Sequence, residues 1–245
     1  RMAGRLSYIG GMSGDSKPIL RLASWNIRAG LGTDLRRDAG RVLDGIAALR
    51  ADIVALQEAD FRLGPRVSAL PRDEIAERTG LAPLPIGRNA VSLGWHGNAI
   101  LARPEFDLCG LERLDLPGLE PRGAVIADLD GPASLRIVAV HLGLLRLARR
   151  RQLSALREAL QRHPPRPTVI LGDFNEHSRR VGLGRIAKPF VLVPTGATFP
   201  SRRPFLPLDR IAHSSELEVL PLDLPPRRGP YPSDHLPLLA ELRWL

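Results

Sequence analysis

The apolar positions of the chain follow two periods. Short runs of Leu, Ile, Val and Ala predict buried strands at Ile19–Ile27, Asp52–Leu56, Asn98–Ala102, Ala124–Leu129, Leu135–His141, Thr168–Leu171, Leu208–Ala212 and Leu236–Leu242. A helical period sets Val42, Leu43, Ile46 and Leu49 on one face of Asp38–Arg50. It recurs through Leu145, Leu153, Leu156 and Leu160 between Leu144 and Arg162, and Asp73–Thr79 reads as a shorter helix. Pro204, Pro207, Pro221, Pro225, Pro226, Pro230 and Pro232 crowd the later connections. Proline lacks the N–H that a sheet interior needs, so this region is confined to loops and edges. Strands and helices interleave irregularly, with no internal repeat and no long linker. The pattern predicts one mixed α/β domain over residues 19–245, after a flexible lead-in over 1–18, rather than a regular parallel barrel.

Composition narrows this picture. With 245 residues, 44% of them hydrophobic, the chain can bury a substantial core, but aromatics at 4% leave Leu, Val, Ile and Ala to fill it. Lys+Arg total 35 against 26 Asp+Glu, a formal +9, and only Lys17 and Lys188 are lysines. Arginine forks hold phosphate at two points, so a polyanionic partner suits this charge, although an Arg- and Pro-rich composition produces it without any partner. Cys109 is the only cysteine, which excludes an internal disulfide and a Cys-based zinc cage. No apolar run approaches the roughly 18 residues that cross a bilayer. The first residues lack a hydrophobic signal core. A cytoplasmic monomer is expected.

Several apolar runs stop at a residue that can handle metal or phosphate: Ser24-Trp25-Asn26, Leu56-Gln57-Glu58, Val140-His141, Gly172-Asp173-Phe174-Asn175 and Leu208-Asp209. Pro232-Ser233-Asp234-His235 precedes the last strand. Each alone is commonly a turn residue. Together they describe one sheet edge where rigid strand ends meet loops.

The segments SWNIRAG, DIVALQEAD, GNAILAR, AVHL, VILGDFNE, LDRI and SDHLPLLAEL occur in this order from about Leu20 to Leu242. They resemble the ordered motifs of the endonuclease/exonuclease/phosphatase (DNase I-like) superfamily, within it a small bacterial subgroup with TFPS at 198–201. The resemblance implies a four-layer αββα sandwich of two packed mixed β-sheets flanked by helices. It also implies a Mg²⁺-dependent phosphoesterase, with Mn²⁺ as a substitute. Glu58 is then a direct ligand of the hard, oxygen-seeking Mg²⁺, with Asn26 beside it and Asp234 near the metal. Asp173 positions or deprotonates water, Asn175 contacts phosphate, and His141 stabilises developing charge. His235 is the terminal catalytic histidine and Asp209 the carboxylate that orients it. Arg122 resembles the family arginine that binds phosphate. Either Asp173 or His235 could be the base.

The remaining polar residues match no motif or depart from one. Asn98 is expected to be structural, His96, His163, His177 and His213 to be surface or internally satisfied, and Arg149-Arg150-Arg151 to form a solvated helix face or, alternatively, a phosphate or membrane-surface contact. Arg28 stands where exonuclease III-type enzymes carry an acidic residue, and Asp60 where DNase I carries an arginine. The substrate is therefore a phosphodiester of nucleic acid or, alternatively, of a phospholipid head group or small ester. A non-catalytic nucleic-acid-binding member is disfavoured, because every catalytic motif residue is present.

Overall fold

The computed structural model describes residues 18–178, 183–186, 188–225 and 229–245. The lead-in expected over 1–18 lies, apart from Pro18, outside the described residues. In chain order the elements are β1 (Leu20–Asn26), α1 (Ala39–Leu49), β2 (Ile53–Gln57), α2 (Arg72–Thr79), β3 (Ala82–Pro83), β4 (Ala99–Ala102), β5 (Asp107–Leu116), β6 (Arg122–Asp130), β7 (Leu135–His141), α3 (Arg146–Arg162), β8 (Thr168–Asp173), β9 (Val191–Leu192), β10 (Asp209–His213), β11 (Leu217–Pro221) and β12 (Leu238–Trp244).

The strands form two six-stranded sheets, ordered β11-β12-β1-β2-β4-β3 and β5-β6-β7-β8-β10-β9. Each has one parallel pair at its centre, β1 with β2 and β7 with β8, and antiparallel neighbours outside it. Strand side chains alternate between faces, and this alternation builds three cores. Leu22, Ile53 and Ile100 of the first sheet meet Val125, Ile137 and Val169 of the second in the central layer. The opposite faces carry Trp25, Val54 and Leu101 onto Val42, Leu43 and Ile46 of α1, and Ile126, Val138 and Ile170 onto Leu153, Leu156 and Ala159 of α3. The architecture is the αββα sandwich, and both faces of every central strand are covered. That is why these strands read as continuous apolar runs.

Helix α1 begins at Asp38, whose side chain accepts from the Arg41 N–H, and stops at Arg50 in the left-handed conformation. Four strands go beyond the expected set: the two-residue β3 and β9, and the longer β5 and β11. The long edge strand β5 interrupts its alternation with Gly110 and four charged residues, and its exposed flank removes the apolar signature. Strand β11 ends in Pro221 and is also an edge, where proline is tolerated. The expected solvated arginine run is corrected at one position. Arg149 is 5% exposed, its Nη2 lies 3.0 Å from Glu176 Oε2, and its Nη1 donates to the Leu144 carbonyl at 2.5 Å. It shares the inward face with Leu153 and Leu156, four and seven residues on, whereas Arg150 and Arg151 are exposed.

Candidate active site

Strand register brings the polar strand ends to one edge. Asn26 pairs with Gln57 at the parallel ends of β1 and β2, and His141 with Asp173 at the parallel ends of β7 and β8. Asp209 opens the antiparallel β10 directly opposite Asp173. Arg122 opens β6 at the same end, and Ser233-Asp234-His235 lead into β12 beside β1.

A buried polar network results. His235 Nδ1 lies 2.9 Å from Asp209 Oδ2, which also accepts from Thr198 Oγ1 at 2.5 Å. His235 Nε2 is 3.8 Å, and His141 Nε2 3.5 Å, from Asp173 Oδ2. Asn26 Nδ2 donates to the same oxygen at 3.0 Å, and the Asn175 N–H donates to Asp173 Oδ1 at 2.9 Å. Asn175 itself donates from Nδ2 to the Leu142 carbonyl at 2.8 Å. Arg122 Nη1 lies 2.7 Å from His141 Nε2, and its Nη2 is clamped at 2.8 Å by Glu120 Oε2. Asp173, Asp209 and His235 hold possible ligand atoms within 4.8 Å of one another.

Burial sets the protonation states. Taking Asp173 out of water, beside the negative charge of Asp209, pushes its carboxyl up to about 7 despite His235 and the hydrogen bonds from Asn175 and Asn26. Burial by itself would lower His235; the charge and hydrogen bond of Asp209, with the charge of Asp173, overcome it and raise the imidazole to about 9. His141 is held well below the ordinary histidine range by burial and by Arg122, so it is a neutral ring at neutral pH.

Glu58 and Asp234 stand on the same edge but outside this network. Glu58 follows β2 with φ 53°, and a Cβ on Gly97 would come within 3.3 Å of its Cα, so glycine fits that approach. Its carboxylate meets Arg62 at 2.9 Å, and Asp234 meets Arg28 at 3.2 Å. Asn26 bridges the two groups of residues: its Oδ1 accepts from the Arg28 N–H at 3.1 Å, and its carbonyl accepts from Ser233 Oγ at 2.6 Å. Between Glu58 and Arg122 opens a cavity of about 110 Å³ lined also by Arg62, Arg66, His96 and Glu120.

Supporting residues outside the motif reading are Thr198 on Asp209, Glu120 on Arg122, and Trp25, whose Nε1 donates to the His235 carbonyl at 2.9 Å. Thr198 and Trp25 lie inside TFPS and SWNIRAG, so the signal was present; Glu120 had none beyond its nearness to Arg122. Asp60, where DNase I has an arginine, is buried and accepts from the Leu93 and Gly94 N–H groups and from Ser92 Oγ, ordering that loop. Asn98 ties the Trp95 and Gly123 carbonyls together, the structural role expected of it. His163 meets Glu112, His213 meets the Ser214 carbonyl, and His177 is exposed. His96 meets Asp115 through Nε2 while its buried Nδ1 has no partner among the described residues.

The model of the Endonuclease/Exonuclease/phosphatase family matches residues 23–235, a span that holds this whole edge. The chain belongs to that family. The superfamily is one of phosphoesterases, nucleases and phosphatases, typically dependent on a divalent metal. A family relative, the uncharacterized protein YbhP of Escherichia coli K12, is 33% identical over 218 residues, covering 81% of this chain and 86% of its own. The human Nocturnin catalytic domain with bound sulfate shares the fold at a TM-score of 0.72 and 23% identity, over 93% of this chain and 94% of that one. A mannosyl-6-phosphatase of Bacteroides thetaiotaomicron aligns at 0.68 and 19% identity, over 92% and 100%. No helix among the described residues is long and apolar enough to cross a membrane.

Proposed function

We propose that this family member is a Mg²⁺-dependent phosphodiesterase. The observation that carries this reading is the buried chain of contacts Asp209–His235–Asp173–Asn26, with the phosphate-binding types His141, Asn175 and Arg122 attached to it. A metal would be held by Glu58 and Asn26, with Asp234 alongside. These donors are all oxygen, as Mg²⁺ requires. Glu58 and Asp234 are each neutralised by an arginine that stands where a cation belongs, and these guanidinium side chains are 68% and 35% exposed, free enough to swing away. When bound, the ion neutralises phosphoryl oxygens and lowers the pKa of a coordinated water.

The chain's own residues divide the proton work. A base functions best when its pKa lies near the working pH, and Asp173 at about 7 meets that condition. It takes the proton of the attacking water as the new P–O bond forms. His235, kept as imidazolium by Asp209, gives its proton to the departing oxygen as the old P–O bond breaks. Arg122, Asn175 and the neutral His141 hold the phosphoryl oxygens in place. Release of nitrophenol from bis(4-nitrophenyl) phosphate, with Mg²⁺ and then with EDTA, tests the reading. Turnover that requires metal and is lost in His235→Ala is expected. Full turnover in EDTA would rule out the metal-dependent mechanism.

A further inference from the structure

The loops at the site-bearing edge have an unusual surface. Leu35 lies in the loop after β1, Leu63 after β2, Leu119 before β6, Leu144 after β7 and Phe205 before β10; they are 74%, 87%, 95%, 62% and 68% exposed. Every one of these loops adjoins a strand end that delivers a site residue. Exposed apolar side chains scattered singly are ordinary, but five of them on the loops of one sheet edge mark an interaction face. Arginines accompany them. Arg36 follows Leu35, Arg203 precedes Phe205, and Arg146, Arg150 and Arg151 line the outer face of α3 just beyond Leu144. Arg146, Arg150 and Arg151 make no ion pair among the described residues, and two carboxylates at this edge are engaged elsewhere, Glu120 by Arg122 and Glu176 by Arg149. The loop before β6 and the start of α3 are continuous surface: the Leu144 N–H lies 3.5 Å from Glu120 Oε1, and a Cβ on Gly118 would lie 3.8 Å from Ala148 Cβ.

We propose that this face docks on an anionic phospholipid bilayer, which places the mouth of the site over a lipid head group and makes a phospholipid phosphodiester the substrate. Apolar tips that enter the acyl boundary, flanked by arginines at head-group level, are the chemistry of interfacial binding. Nucleic acid fits less well, because leucine tips would desolvate against its charged backbone and few exposed rings are available to stack on bases. The substrate assignment rests on the hydrolytic reading above; the docking face does not.

Flotation of the purified protein with phosphatidylcholine vesicles, with and without phosphatidylglycerol, tests it. Binding should require the anionic lipid and weaken with salt. Arg146→Gln/Arg150→Gln/Arg151→Gln should partition roughly a hundredfold more weakly at low salt. Leu63→Ser/Leu119→Ser/Leu144→Ser should lose binding that salt does not remove. Both variants should hydrolyse vesicle phospholipid about tenfold more slowly or worse, yet turn over soluble bis(4-nitrophenyl) phosphate like the parent. Equal binding to both vesicle types, no binding to either, or unchanged binding by both variants would overturn the docking face. So would retention of duplex DNA, lost in the arginine variant, by a protein that ignores vesicles. Charge-dependent vesicle binding without hydrolysis of any phosphoester would uphold the face and remove the hydrolytic reading instead.

Discussion

The two β–α–β crossovers at the centres of the sheets share one topology and deliver different chemistry. β1–α1–β2 ends in Asn26 and, just past β2, Glu58; β7–α3–β8 ends in His141 and Asp173. In the first, the carboxylate lies at a rim and is balanced by Arg62, whose side chain is 68% exposed. In the second, Asp173 is 2% exposed and shares its oxygens with Asn26, Asn175 and two histidines. An exposed ion pair is worth little and is readily exchanged, whereas a buried one is locked in place by the cost of leaving either charge alone. On the proposed mechanism the first crossover takes up and releases a cation, and the second holds protons in fixed positions.

Breaking the buried side should have the largest effect. His235→Ala and Asp173→Asn should each lower kcat by about 10³ to 10⁴, the range for loss of an acid or base, with KM little changed. A loss under tenfold in either would remove that residue from proton transfer. Glu58→Gln follows, at about 10² to 10³, because a neutral amide weakens the Mg²⁺ site without reshaping it; higher Mg²⁺ should restore part of the rate. Failure of any Mg²⁺ concentration to help would place Glu58 in the chemistry itself.

Asp209→Asn should cost less than His235→Ala, about tenfold to a hundredfold, since the ring remains and only its orientation and charge are disturbed. A larger loss than in His235→Ala would end the orienting role. The same variant sharpens a pH prediction for the metal-free protein. The folded pKa of His235 is raised from 6.5 to about 9, so its contribution to stability is complete below pH 6.5 and lost as pH rises through 9. Asp173, raised from 3.8 to about 7, likewise favours folding most below pH 3.8 and loses that contribution as pH rises through 7. Denaturant titrations in EDTA should show stability falling toward alkaline pH, with the fall above pH 7 absent in Asp209→Asn. A flat parent profile between pH 7 and 9 would refute the raised imidazole.

The smallest effect belongs to the rim. Arg62→Ala should change stability by no more than about 0.5 kcal/mol, and the Mg²⁺ concentration for half-maximal rate should drop about two- to fivefold as the competing cation disappears. An increase in that concentration would show that Arg62 assists the metal site instead of substituting for the ion.

The two crossovers also differ in how far they could be read in advance. Buried strands such as β2 and β8 are continuous apolar runs that stop at Glu58 or Asp173, so both the element and its chemistry are visible. Helix α3 is visible as an element, but its run of arginines points Arg149 to solvent. Its spacing to Leu153 and Leu156 put it on the inward face, and the helical period outweighed composition. Strand β5 was hidden because an edge strand needs apolar residues on one face only. The contact between Trp25 and the His235 carbonyl spans 210 positions, and no local pattern encodes that distance. Nor did any period reveal that the two crossovers repeat one topology, since each sheet meets its repeat with different side chains.

The placement of β1 bears on how the protein is made. This strand lies between β2 and β12, and Leu20 pairs with Leu242. During synthesis one flank of β1 has no strand to bond until β12 leaves the ribosome. Such long-range pairing makes folding slow compared with helical domains and leaves an adhesive sheet edge exposed in the meantime. Asp209 and His235 also arrive late, after Asn26, Glu58, His141 and Asp173 have been translated. On the proposed mechanism a nascent chain is therefore hydrolytically silent, and activity regained on refolding would report closure of the first sheet by β12, not the earlier collapse of its cores.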